Sequence, residues 1–116
     1  MSYNKHVVAR GPVIASAFTG GTTGGEIVAA VTGKKLRLIS MMLLTDTAGN
    51  VTVRDNTGTP IKFVGPAPVA ANGGFVLPHN PEGWGDTGSG KNINVLLGTS
   101  CTTFGGVVTY QVLDGN

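Results

Sequence analysis

The chain has 116 residues, a net charge of +2 at pH 7, 41% hydrophobic residues and only 12% charged ones. That length makes one domain with a single core, compact to a radius of gyration of about 13 Å, and the charged share is about half that of an ordinary soluble domain. The basic residues are scattered with no interleaved aromatics, so nucleic-acid binding has no support beyond Lys34, Lys35 and Arg37, and no apolar run reaches membrane-spanning length.

A small monomer normally keeps a charged surface to stay soluble and unpaired. Low charge therefore leads us to expect a surface covered by copies of the chain or by another protein, the alternative being a neutral surface rich in Thr, Asn and Ser. The 19 glycines and 6 prolines separate regular, β-branched apolar runs, which describes punctuated strands better than disorder. Cys101 is the only cysteine, which excludes an intramolecular disulfide. Met1 to His6 lacks the apolar region of a signal peptide, so synthesis in a cytoplasm is expected.

In chain order, Val7 to Phe18 is broken by Gly11-Pro12 and reads as an edge strand or an arm. Gly20 to Gly25 reads as an uncharged flexible loop, and Glu26 to Val31 as a short strand. Lys35 to Leu44 is the longest apolar stretch. Simple alternation puts Leu36, Leu38, Met42 and Leu44 on one face, with Lys35 and Arg37 on the other giving way to Ile39, Met41 and Leu43. A strand that starts half exposed and ends apolar on both faces passes into a core or under a neighbouring subunit. Asp46 to Asn50 is a turn, Val51 to Arg54 an alternating half-buried strand, and Asp55 to Gly58 a second turn. Pro60 to Val64 follows, and then Gly65-Pro66-Ala67-Pro68.

Asn72 to Leu97 contains a glycine turn, the strand Phe75 to Leu77, a long loop with the only tryptophan, and the strand Ile93 to Leu97. Pro78 and Pro81 fix φ and remove amide donors, which stiffens the loop. Trp84, between Gly83 and Gly85, is expected to be mostly buried in this corner or in a subunit contact. Gly98 to Gly105 reads as a Thr-rich loop. The last strand, Val107 to Leu113, sets Val108, Tyr110 and Val112 on one face and Thr109 and Gln111 on the other. About eight short strands without a capped helical period predict an all-β, single-domain antiparallel β-sandwich, jelly-roll-like. Residues 1–20 would form an N-terminal arm or edge strand and 21–116 the sandwich.

Chemical motifs give little. Gly85 to Lys91 matches the glycine-rich phosphate loop until Asn92, where a hydroxyl should hold magnesium, and the buried strand before it and helix after it are missing. His6 and His79 have no metal-ligand spacing. Cys101 with His79 is conceivable as a nucleophile and base, but a small residue in a Thr-rich loop explains the cysteine as well. Glu82 and Asp86 flank Trp84 as carboxylates flank the aromatic platform of a sugar site, although such a tryptophan is more often core or interface. Asn50-Val51-Thr52 is a glycosylation sequon that matters only on secretion. No catalytic set, metal or cofactor is indicated.

Val51-Thr52-Val53-Arg54, Ala71-Asn72-Gly73-Gly74, the Leu77 to Trp84 loop with its Pro81-x-Gly83-Trp84 turn, and Gly106 to Tyr110 together resemble the small glycine-rich structural proteins of tailed bacteriophage virions, among them capsid decoration (cement) proteins. The resemblance spans Lys35 to Val112. It implies a jelly-roll-like sandwich that forms a homotrimer on the outside of the head, with the major capsid protein as partner. The N-terminal segment, carrying Lys5, His6 and Arg10, is then the candidate arm that grips the shell. Trp84, Met41 and Leu43 are the other interface candidates. The remaining alternative is a phage tail or fibre component, or a carbohydrate-binding module recognising a host surface, which would need an exposed aromatic over a polar rim.

Overall fold

A computed structural model describes residues 12–114 of the chain. They form seven strands and no helix: β1 Ile14–Val28, β2 Lys34–Thr45, β3 Gly49–Asp55, β4 Lys62–Val69, β5 Gly73–Leu77, β6 Gly85–Asp86 and β7 Ile93–Asp114. The all-β expectation holds, and every pairing is antiparallel. The strands join one curled sheet in the order β4-β3-β7-β2-β5, with β1 also on β7 and β6 on β2. The expected short strands are partly fused, since β7 alone has 22 residues. The radius of gyration, 14.7 Å, exceeds the compact expectation of about 13 Å accordingly.

β7 organises the sheet. Its first part pairs with β3 (Val51↔Leu97 to Asp55↔Ile93) and its last part with β2 (Lys34↔Asp114 to Thr45↔Phe104), while β1 runs along it from Ile14↔Tyr110 to Val28↔Ile93. The curl brings the inner faces of both parts onto one core of Leu36, Leu38, Met41, Leu43, Val51, Val53, Ile93, Val95, Leu97, Phe104 and Val108.

Two stretches that read as loops are strand interiors. Gly20 to Gly25 lies in β1 and Gly98 to Gly105 in β7; they face each other through Gly20↔Phe104 and Thr22↔Cys101, while Gly24 and Gly25 pair with Leu96 and Val95 just before the second stretch. The register shifts on either side of Thr22, so neither stretch shows a two-residue apolar period. Backbone contact requires two of these glycines: a Cβ would lie 2.6 Å from the Thr102 carbonyl oxygen on Gly21 and 2.0 Å from that of Val95 on Gly24. The 20/21 boundary between arm and sandwich thus falls inside a strand. Gly65 to Pro68, with two prolines, are part of β4, an edge strand, where missing amides are tolerated.

The largest departure from simple alternation lies in β2. Leu38 pairs with Tyr110 and Ser40 with Thr109, so Ile39 is an extra residue in the ladder. A bulge of this kind moves every later side chain to the opposite face. Leu36 and Leu38 face the core before it, Met41 and Leu43 after it, while Met42 and Leu44 are exposed. Met41 and Leu43, taken from the sequence as interface candidates, are therefore core residues, and their neighbours Met42 and Leu44 occupy the outer surface.

Candidate functional site

The corner between β5 and β7, residues 78–92, is where most polar side chains converge. β5 covers the edge of β2 only from Met41 to Thr45. Beside the remainder of β2 lie the two residues of β6, paired with Arg37 and Leu38, and the corner loop on either side of them. Amides of Asn80, Trp84, Thr87 and Gly90 donate to the carbonyls of Ile39, Leu38, Leu36 and Lys34 at 2.7–3.0 Å, and Leu36 N–H donates to Thr87 Oγ1 at 2.9 Å. The exposed ladder of β2 is thereby closed by a loop too rich in glycine and proline to be a regular strand.

Beneath the loop lies a buried carboxylate that reads in the sequence only as a turn residue. Asp55 Oδ1 accepts from the amides of Thr57 (3.1 Å) and Ile61 (2.9 Å), and Oδ2 accepts from Thr57 Oγ1 (2.7 Å) and the Gly88 amide (2.9 Å). Burial pushes this carboxyl up, but the bonds from Gly88, Thr57 and Ile61 outweigh it and leave Asp55 below the ordinary carboxylate pKa. The Asp55-x-Thr57 spacing, an Asx turn with a hydroxyl two residues on, is the signal that could have marked it. Asn92 is the second node: its side-chain amide donates to Glu26 Oε2 at 2.8 Å and its backbone amide to Asn56 Oδ1 at 2.9 Å.

These bonds account for the phosphate-loop likeness. Amides of Thr87, Gly88, Gly90 and Lys91 all donate to protein acceptors, Gly88 to a carboxylate. They do not form an open anion cradle, and Asn92 ties the turn to β1 instead of holding a metal.

Trp84 lies at the outer rim of the corner. Its Nε1 donates to the Pro78 carbonyl at 2.9 Å, yet the residue is 40% exposed, so the indole is not buried within the corner of its own chain, the first of the two placements expected. Gly83, at positive φ with the Arg37 side chain where its Cβ would be, leaves the loop tight on β2 and the ring outside it. Asp86 binds Arg37 in a fork, Oδ1 to Nε at 2.7 Å and Oδ2 to Nη2 at 2.9 Å. That hydrogen bonding raises the Arg37 pKa against the opposing effect of burial. Glu82 and His79 are exposed beside the ring in the chain. The structure thus sets Trp84 among polar side chains on a stiff loop.

The other sequence candidates scatter. Cys101 is buried in the apolar core while His79 is on the exposed loop. Lys5, His6 and Arg10 lie outside the described residues. Among the described residues no three His, Cys, Asp or Glu side chains gather as metal ligands would. No protein-family model, curated protein or solved structure matches the chain.

Proposed function

We propose that this chain is a non-enzymatic virion structural protein, a capsid decoration (cement) protein of the tailed-bacteriophage type, which binds the outside of the head as a homotrimer. Its curled sheet would serve as a jelly-roll-like sandwich. The observation that carries the reading is where the polar chemistry goes. Asp55, Asn92, Arg37 and Asp86 hold the corner to the sheet, and beyond them the outward face around Met42, Leu44, Val76 and Val107 is apolar, with no charged residue in the rows those side chains form. The segments that resemble the virion proteins supply the framework of that corner: β3, the turn into β5, the Trp84 loop and the end of β7. Ile14 to Phe18 belong to the sheet, so the attachment arm is confined to the residues before β1, Lys5, His6 and Arg10 among them.

The test is cosedimentation of purified protein with empty capsids from the source particle, with electron micrographs of the decorated heads. Saturable binding to the head exterior, lost on deletion of residues 2–11 in a protein that still folds, is the expected result. No binding to heads, together with labelling of tails, would overturn the placement.

The exposure of Trp84 favours a second reading, a module that stacks the indole on a saccharide of a host surface. Saccharide binding by the wild type that Trp84→Ala abolishes, without loss of folding, would replace the first reading with this one.

A further inference from the structure

Beyond the corner, the most conspicuous surface is the outer face of the sheet half made of β5, β2, β7 and β1. Pairing aligns Val76, Met42, Val107 and Ala17 in one row across the four strands, and Gly74, Leu44, Gly105 and Thr19 in the next. Val76 is 65% exposed, Leu44 51%, Met42 40% and Val107 36%. Neither row contains a charged residue. Met42 and Leu44 are on the outside because the bulge at Ile39 moved Met41 and Leu43 inward.

We propose that this face is the surface through which copies of the chain associate, its occupant being the same face or flank of a second copy. The inference deepens the self-assembly within the proposed function but does not require a virion. Three observations select a copy over another partner. Four side chains alone expose on the order of 300 Å² of apolar surface, the scale of the largest patch on an ordinary monomer. A stable interface takes about 800 Å² from each partner, and the neutral surroundings, Ala15, Ala17, Thr19, Ser40 and Thr109, extend the patch without adding charge. Next, the two rows carry no charge and offer nothing to an acidic or basic partner; the nearest carboxylate, Asp46 at their rim, already accepts from the Thr102 and Thr103 amides, so two copies can meet over the rows without placing like charges face to face.

Finally, the face carries both a ridge and a hollow. Leu44 stands between Gly74 and Gly105, which have no side chains. It borders an open depression of about 390 Å³ whose other lining residues are Thr45, Asp46, Asn72, Thr103, Phe104, Gly105 and Gly106. A leucine or methionine ridge from a second copy fills such a hollow, so the surface provides its own complement. Among the described residues β1 and β5 have no strand on their outer edges, and their free amides and carbonyls flank the contact on both sides.

The experiment compares wild type, the double variant Leu44→Glu with Val76→Glu, and Ile61→Glu, which changes an exposed apolar residue outside the face, by light scattering at micromolar concentration. Wild type and Ile61→Glu are expected to show a multiple of the monomer mass. The double variant should give the monomer mass with an unchanged β-sheet circular dichroism spectrum. A monomeric wild type, or a folded double variant that keeps the multimer mass, overturns the proposal. If the double variant does not fold, Val76→Cys decides, because Cys101 is buried. Its modification by a thiol reagent should slow at least tenfold between dilute and concentrated protein, and a rate independent of concentration overturns the proposal. Association without binding to heads would leave this inference standing and remove the virion reading.

Discussion

Replacing Asp55 by asparagine changes one atom's chemistry at a point where four donors converge. The carboxylate accepts from Thr57 N–H, Ile61 N–H, Thr57 Oγ1 and Gly88 N–H. An asparagine oxygen can keep the pair on Oδ1, and the Thr57 hydroxyl can turn to accept, but the new NH2 group then faces the Gly88 amide, donor against donor. Hydrogen bonds to a charged acceptor are worth about 1.5–3 kcal/mol and a stranded buried donor costs about 1–3 kcal/mol. We expect Asp55→Asn to lose about 2–4 kcal/mol, which for a domain of this size lowers Tm by about 8–16 °C. Asp55→Ala strands all three amides and should lose more.

The dependence on pH provides an independent check. Asp55 has its folded pKa below the ordinary 3.8, so the folded state stays ionised to lower pH than the unfolded chain. Its contribution is complete above the unfolded pKa and disappears as pH falls through the folded one. Urea unfolding of wild type and Asp55→Asn should therefore differ fully at neutral pH and progressively less below about pH 4. Variants within about 0.5 kcal/mol of wild type at neutral pH, or a gap that stays constant into acid, would refute the assignment of Asp55 as the clamp of the corner.

The bulge in β2 predicts opposite costs for adjacent leucines: Leu43→Ala, in the core, should lose about 2–5 kcal/mol, while Leu44→Ala should change the unfolding of the dissociated chain by less than about 0.5 kcal/mol; equal losses in urea melts would mean that the register is wrong. Trp84→Ala should cost about 1–2 kcal/mol, for one hydrogen bond and partial burial, and acrylamide should quench the wild-type emission; a shielded, blue-shifted indole in the dissociated chain would contradict the exposed placement. Lys91→Ala should stay within about 0.5 kcal/mol of wild type, and ATP with magnesium should raise the Tm of neither protein, because the neighbouring amides are already bound to protein acceptors.

β-branched runs punctuated by glycine, proline and asparagine were enough to read an all-β antiparallel protein, because alternation and turn chemistry are local properties of the chain. The Asn72 to Leu97 corner and the failure of its phosphate-loop likeness were legible for the same reason. Three features were not, since each depends on a second segment. One extra residue in β2, visible only against the ladder of β7, exchanged the buried and exposed members of Met41 to Leu44. Gly20 to Gly25 and Gly98 to Gly105 look like loops alone and become strand when each satisfies the other's backbone. Asp55 and Gly88, 33 residues apart, form a clamp that no spacing rule announces. Trp84 follows the same logic: the sequence placed it in a rigid corner, but whether its ring turned inward or outward was set by the loop lying flat on β2 and bonding its backbone there.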